Sequence, residues 1–384
     1  MAKMTPMASN DPSAKAPGQL IRQLLDDRGW KQKVLATIMG LSEPAVNLMI
    51  AGRRGLNAET ALALEMVFGV PAEQFLQLQT NFDLAKARFL APPDPALARR
   101  AMLFGAFPVA EMIRRGWIAV PDMRDTSQVE AGAARFFDVP TAADIPALPH
   151  AAKKTGDQPT TATQLAWLYR VRSVARAMLA PTYSPAALRA LLPRLRALLL
   201  DPDDARRVPR LLLDCGVRFV VVEQLSGAKI DGVCCWLDDA PVIGMSLRLD
   251  RLDNFWFVLR HEIEHILREH GKGIVIVDAE LEGGSTLDLS LHEEEQQANT
   301  AAADFCVPAA EMDDFILRKR PFFADKDIVN FARRIKVHPS LVAGQLRHRL
   351  GKWDRFGGHT APVRSAVVDN ARTDGWGTVA PLTN

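Results

Sequence analysis

Residues 255–270 read FWFVLRHEIEHILREH, and His261-Glu262-Ile263-Glu264-His265 within them is an HExxH sequence. On a helix, side chains four apart share a face, so both imidazoles can reach one Zn²⁺ while Glu262 sits over the remaining coordination position. That is the arrangement of a zinc-dependent peptidase. Glu262 would take a proton from a metal-activated water, whose pKa falls to about 7, and pass it to the leaving amine. The flanking Phe255, Trp256, Val258, Leu259, Ile266 and Leu267 give the segment a helical apolar pattern, with Asp253 and Asn254 as candidate N-caps.

The third ligand must come from elsewhere. A further His ten positions after the first is ruled out because Gly271 stands there, and His270 is one residue out of place. A carboxylate from a second helix is the common remaining choice. The stretch LHEEEQQANTAAADF, residues 291–305, offers one. Read as a helix, it lines up Leu291, Ala298, Ala302 and Phe305 and turns Glu293 away, while Glu294 and Glu295 both border the stripe. Glu295 is preferred because Asn299 follows it by one turn and could hydrogen-bond a ligating imidazole.

HEIEH followed by EQQANTAAADFCVP, Glu295 to Pro308, resembles the paired signature of the ImmA/IrrE family of metallopeptidases. The resemblance implies metal ligands His261, His265 and Glu295, with Glu262 as the catalytic residue. Three ligands converging from two helices lead to the expectation of one Zn²⁺ per chain, with Mn²⁺ the alternative ion. Glu264 departs from the family pattern, where a small residue precedes the second His.

The elements that would carry a second function lie at the front. Residues 19–82 read as five short helices, with Ser42 and Asn57 as N-caps, Gly40 as a tight turn and Pro71 opening the last helix. Gln32, Ala36, Gly40 and Val46 at these spacings resemble an Xre-type helix-turn-helix, in which a small residue and a turning glycine let two helices cross closely. The run GRRGLNAETALALEMVFG with QLQTNFDL is similar to HigA-type antitoxin repressors. The second helix presents Glu43, Pro44, Asn47 and Leu48 and lacks the Arg or Gln of the commonest bidentate base contacts. Gln32, Arg53 and Arg54 are the expected phosphate contacts, and such a module needs a dimer, or the rest of the chain, to bind operator DNA well.

Between these regions, residues 83–214 read as a helical linker region broken by Pro-rich turns, with Arg170, Arg172, Arg176, Arg189, Arg194 and Arg196 on helical stretches. They are read either as a solvated basic face or as one for DNA or an acidic partner. The periodicity then shortens to strands at Val217–Val222, Ile230–Trp236, Pro241–Leu247 and Ile274–Val277. Such a sheet ahead of a metal helix would hold an extended substrate along an exposed edge. An acidic block, 278–314, and a basic one, 330–355, either pack together or steer a substrate. Residues 325–350 read as two helices joined at His338-Pro339.

Residues 1–18 read as a disordered tail rather than a signal peptide, and 357–384 as a loose C-terminal tail. With 47 basic and 45 acidic residues the chain is not a globally basic nucleic-acid coat. No apolar run reaches the length of a membrane span, and four cysteines without CxxC spacing fit a reducing cytoplasm. The expected fold class is α+β: an all-α helix-turn-helix head, a helical middle region, and at 215–356 a zincin-like metallopeptidase domain with a small sheet and the HExxH helix. The expected protein is a DNA-binding regulatory zinc metallopeptidase that cleaves one specific protein, a helix-turn-helix repressor or toxin-antitoxin component. The competing expectation is a non-catalytic HigA-type antitoxin and autorepressor.

Overall fold

A computed structural model describes residues 16–90, 94–147, 152–154, 161–270, 272, 275–279 and 293–377. The chain divides into two compact units, one up to Ala98 and one from Arg99.

The first unit holds α1 (Pro17–Asp27), α2 (Gln32–Met39), α3 (Glu43–Ile50), α4 (Ala58–Phe68) and α5 (Ala72–Leu90). The apolar residues recur at helical spacing, as in Ile21 and Leu25, and meet Leu35, Val46, Met49, Leu64 and Phe75 in one buried core. Ser42 accepts a hydrogen bond from the Ala45 amide and Asn57 one from the Thr60 amide, as N-caps do. Glu65 caps α5 by accepting from the Ala72 amide at 2.8 Å.

The second unit is a mixed sheet between two helical layers. The chain runs through α6 (Pro95–Ala106), α7 (Val109–Arg114), α8 (Thr126–Phe136), β1 (Ala152–Lys154), α9 (Ala162–Arg176), α10 (Pro185–Arg196) and α11 (Val208–Asp214). It continues through β2 (Arg218–Val222), β3 (Ile230–Leu237), β4 (Ala240–Met245), α12 (Leu252–Leu267), β5 (Val275–Ala279) and α13 (Glu293–Cys306). The last elements are α14 (Ala309–Lys319), α15 (Asp325–Arg334), α16 (Pro339–Leu350), α17 (Arg364–Val368) and β6 (Arg372–Asp374). Strand order is β1-β5-β3-β4-β2-β6, with β3 antiparallel to both neighbours and the other pairs parallel.

Strand alternation assigns the two layers. On β2, Phe219 and Val221 face the core shared with α10, α12, α14, α15 and α16, whereas Val220 and Val222 face the core shared with α6 to α9. The boundary expected at residue 215 is therefore absent. Trp167 and Val171 of α9 are fully buried in the same core as β2 and β3, so the helical middle from Arg99 onward belongs to this unit, with α6 to α9 on one side of the sheet and α10 and α11 on the other.

Three other expectations change. Residues 357–377 are not loose: α17 buries Val367 and Val368, and β6 extends the sheet beside β2. The strands read from sequence do not form a free edge, because β1 pairs with β5 and β6 with β2. Finally, α12 begins earlier than expected, so Asp253 lies inside its first turn rather than at its N-cap. The parts of the two expected tails at 1–15 and 378–384 lie outside the described residues. Among the described residues no single helix is long and apolar enough to cross a membrane.

Of the six middle-segment arginines expected on helical stretches, Arg170 is buried and Arg172 and Arg196 are half-buried, whereas Arg176, Arg189 and Arg194 are exposed. Arg170 is buried and ion-paired with Asp374, which also accepts from Trp117 Nε1 at 2.9 Å. Arg196 donates to the Cys306 carbonyl and Arg189 to that of Leu267. The acidic and basic blocks meet, through Glu311 with Arg334 and Asp313 with Arg349.

Candidate metal centre and helix-turn-helix head

α12 is buried on nearly all sides, with Trp256, Val258 and Ile266 fully enclosed, so it is a core helix rather than a surface one. It packs against β3, β4, α13 and α16. Its polar residues are consequently forced to find partners inside the protein.

His261 and His265, one turn apart, place their Nε2 atoms 2.9 Å from each other. Glu295 of α13 reaches both, with Oε2 3.3 Å from His261 Nε2 and Oε1 3.4 Å from His265 Nε2. Among the described residues these three are the one group of His, Cys, Asp or Glu side chains able to hold a metal ion together. A tetrahedral ion with bonds of about 2.0–2.1 Å sets its ligand atoms about 3.3 Å apart. The His–Glu spacings, each to a different oxygen of the carboxylate, lie near that figure, and the two imidazoles need to separate by only a few tenths of an ångström. The donor set, two imidazoles and a carboxylate, suits a divalent cation of the zinc type. Glu294, the neighbouring carboxylate, points to the exposed side, 4.0 Å from His270 Nε2.

Glu262 is fully buried against β3. A Cβ on Gly232 would stand 2.3 Å from Glu262 Oε1, so only glycine leaves space for this carboxylate. The pairing of β3 with β5 shifts register between Ile230 and Gly232, and the intervening Asp231 is fixed by a two-pronged contact from Arg248 at 2.7 and 3.0 Å. Such a bulge re-aims the strand locally, here at the point where the helix carboxylate needs room. The sequence carried a signal for this in the lone glycine of a β-branched run, which marks a bulge or a close backbone approach.

Glu264, the departure from the family pattern, is accommodated on its own helix. Arg260 donates to one oxygen at 2.7 Å and Arg268 to the other at 2.6 Å. Burial pushes the Glu264 carboxyl up, but these two hydrogen bonds win and hold it below the usual carboxylate range. Asn299, expected to support an imidazole, is half-buried, and among the described residues its side chain has no hydrogen bond to His261 or His265. The second contact to His265 comes instead from His270, whose Nδ1 lies 3.0 Å from His265 Nδ1. Burial pulls the His270 imidazole below its ordinary pKa, partly offset by Glu294. The start of α12 is fixed by buried Asp253, which accepts from Arg347 of α16 at 2.9 Å and pairs with Arg251. Cys306, at the end of α13, is a neutral thiol whose pKa burial pushes up to about 12.

In the first unit, α2 and α3 meet at 114° across a three-residue turn, within the range of a helix-turn-helix. Gly40 makes the turn at φ 64°, a left-handed conformation that a side chain resists. Gln32 is half-buried at the start of α2, and Glu43 and Asn47 are exposed on α3. Arg53 and Arg54 are exposed just beyond α3, with both backbone amides bonded to the Leu48 carbonyl. Leu48 itself is exposed beside Asn47, an apolar side chain suited to a thymine methyl.

This geometry is that of a DNA-binding helix-turn-helix of the regulator class. Residues 21–75 match the Helix-turn-helix family model, and through them the chain belongs to that family. Virulence-associated protein I of Dichelobacter nodosus is 34% identical over 83 residues, which span 21% of this chain and 77% of that protein. Among solved structures, antitoxin GraA is 32% identical, covering 20% of this chain and 84% of its own, with a TM-score of 0.20. An addiction module antidote protein of a HigA family from Coxiella burnetii is 28% identical, covering 20% of this chain and 83% of its own, with a TM-score of 0.19.

Proposed function

We propose that this protein is a regulatory zinc metallopeptidase whose helix-turn-helix head binds operator DNA and whose second unit cleaves one specific protein partner. The observation that carries the reading is the convergence of His261, His265 and Glu295 from two helices, with Glu262 next in sequence to the first ligand. His261, His265 and Glu295 would hold the ion. Zinc, when bound there, supplies Lewis acidity and an acidified water. Glu262 would hold the proton released from that water and return it to the departing amine, its carboxylate kept in place by the β3 backbone at Gly232. A partner that is itself a helix-turn-helix repressor or a toxin-antitoxin component fits a protease tethered at an operator as a homodimer.

The test is Glu262→Gln. The amide preserves size and leaves the three ligands alone but accepts no proton, so the variant should bind one zinc per chain and cut none of the proteins encoded beside its gene. A discrete cleavage by the wild type that Glu262→Gln abolishes supports the reading; identical behaviour of the two toward every partner refutes it.

A second reading has its own observation. The centre is enclosed, with His261, Glu262 and His265 at 0% exposure and Glu295 at 4%. Structural zinc is closed by four protein ligands, so this reading requires a fourth ligand beside the three that converge here. In that reading the protein is a non-catalytic antitoxin-type autorepressor and the metal clamps α12 to α13. Removing the ion would then unfold the unit without any proteolysis ever being seen.

A further inference from the structure

We propose that the turn ending α12 belongs to the metal centre: His270 is a positioning residue that sets the tautomer and ring plane of His265, with Glu294 behind it. The inference rests on the metal site proposed above.

The helix ends with two backbone bonds, from the His270 amide to the His265 carbonyl at 2.8 Å and from the Glu269 amide to the Ile266 carbonyl at 3.0 Å. Glu269 between them is left-handed, at φ 57°. This pair of bonds around a left-handed residue is the Schellman termination, which brings the side chain just past the helix onto the one five residues earlier. Ordinarily both are apolar. Here both are histidines, and their Nδ1 atoms are 3.0 Å apart.

His265 turns its Nε2 toward His261 and Glu295. For Nε2 to give its lone pair to a cation, the ring proton must sit on Nδ1. One proton serves the Nδ1 pair, so His270 accepts it and keeps its own on Nε2, which faces the Glu294 carboxylate. The order carboxylate, imidazole, imidazole, ion is one ring longer than the usual support of a ligating histidine by a carboxylate. The His270 carbonyl accepts from Trp236 Nε1 at 3.0 Å, which ties the turn to β3. The arrangement also accounts for Glu294, which borders the centre without entering it.

The experiment measures zinc affinity of the full chain by competition with a chelator, the Co²⁺ visible spectrum, and the ring nitrogen-15 shifts of His265 in the metal-free protein. His270→Ala should weaken zinc binding about 10- to 100-fold and alter the Co²⁺ spectrum while leaving the metal-free thermal midpoint unchanged. His270→Gln, whose amide oxygen can accept the Nδ1 proton, should recover most of the affinity. Glu294→Gln, at the exposed end, should cost no more than about fivefold. Tight zinc binding by the wild type with equal affinity and spectrum in His270→Ala overturns this inference alone. So does a His265 ring protonated on Nε2, which needs no variant to detect. Failure of the wild type to bind zinc overturns the proposed function and this inference together.

Discussion

Three side chains decide whether the centre is a metal site, and the spacing of their donor atoms makes a sharp expectation. Glu295→Ala removes two donor oxygens from between the imidazoles, and His265→Ala removes the ring that faces both other ligands; each should reduce bound zinc from one per chain to none, read by elemental analysis after dialysis. Glu294→Ala should keep its metal. Metal retained in Glu295→Ala and lost in Glu294→Ala would shift the ligand by one residue. At this scale the sequence located side chains that the structure brings together, His261 and His265, because residues four apart on a helix share a face. Asn299 misled because a helical neighbour one turn on shares a face with Glu295 but was not bound to reach the imidazoles. His270 stands one residue outside the ligand spacing, and spacing rules for ligands say nothing about a side chain delivered by a helix termination.

At the scale of elements, β3 and α16 both pack against α12. Gly232→Ala puts a methyl group into the space of the Glu262 carboxylate and also 2.7 Å from Val258 Cγ1. It should leave zinc content intact, lower cleavage about 100-fold through displacement of the proton acceptor, and cost about 1–3 kcal/mol of stability. Unchanged cleavage would mean that Glu262 does not need its present position. Arg347→Ala strips a buried partner from Asp253 at the head of α12, while Arg251 remains. A loss of about 3 kcal/mol in urea unfolding is expected, and no loss would show that Arg251 alone satisfies the carboxylate.

The elements themselves were readable where the pattern is local. The strands at 217–222, 230–236 and 241–247 lie close to β2, β3 and β4 because β-branched runs between Gly and Asp turns reveal themselves without knowledge of the fold. β1 and β6 were not foreseen, since a strand of three residues has no period to detect. Nor was the burial of Arg170: an arginine on a helix reads as surface until its counter-ion is known, and Asp374 sits 204 positions away.

For the molecule as a whole, the helix-turn-helix head makes a prediction about DNA. Arg53 and Arg54 are exposed just beyond α3, and as expected phosphate contacts they would hold DNA without reading its bases. Arg53→Ala and Arg54→Ala should weaken binding to all sequences alike, each reducing the slope of log affinity against log salt by about one, whereas Glu43→Ala should shift sequence preference only modestly. Titrations of an upstream fragment at several salt concentrations check this. No protection of any upstream DNA, with cleavage of a partner retained, would mean that the head recognises protein, and the assignments of Gln32, Glu43, Asn47, Arg53 and Arg54 would fall.

The buried pair of Arg170 and Asp374 also reaches across the whole second unit. Asp374→Asn removes the charge but keeps an acceptor for Trp117, so a cost of about 3 kcal/mol in urea unfolding is expected, and an unchanged midpoint would show that Arg170 is satisfied otherwise. The pair has a further meaning on the clock of protein synthesis. Ribosomes add about 5–20 residues per second, so a nascent chain carries Arg170 for about 10–40 seconds before Asp374 has even been made. Through that interval the outer side of β2 has no neighbour and the layer carrying α9 has an unanswered positive charge. The second unit can therefore close only after Asp374 has been made, and a ribosome stalled before that point would leave a chain with His261, His265 and Glu295 all present and its sheet still open.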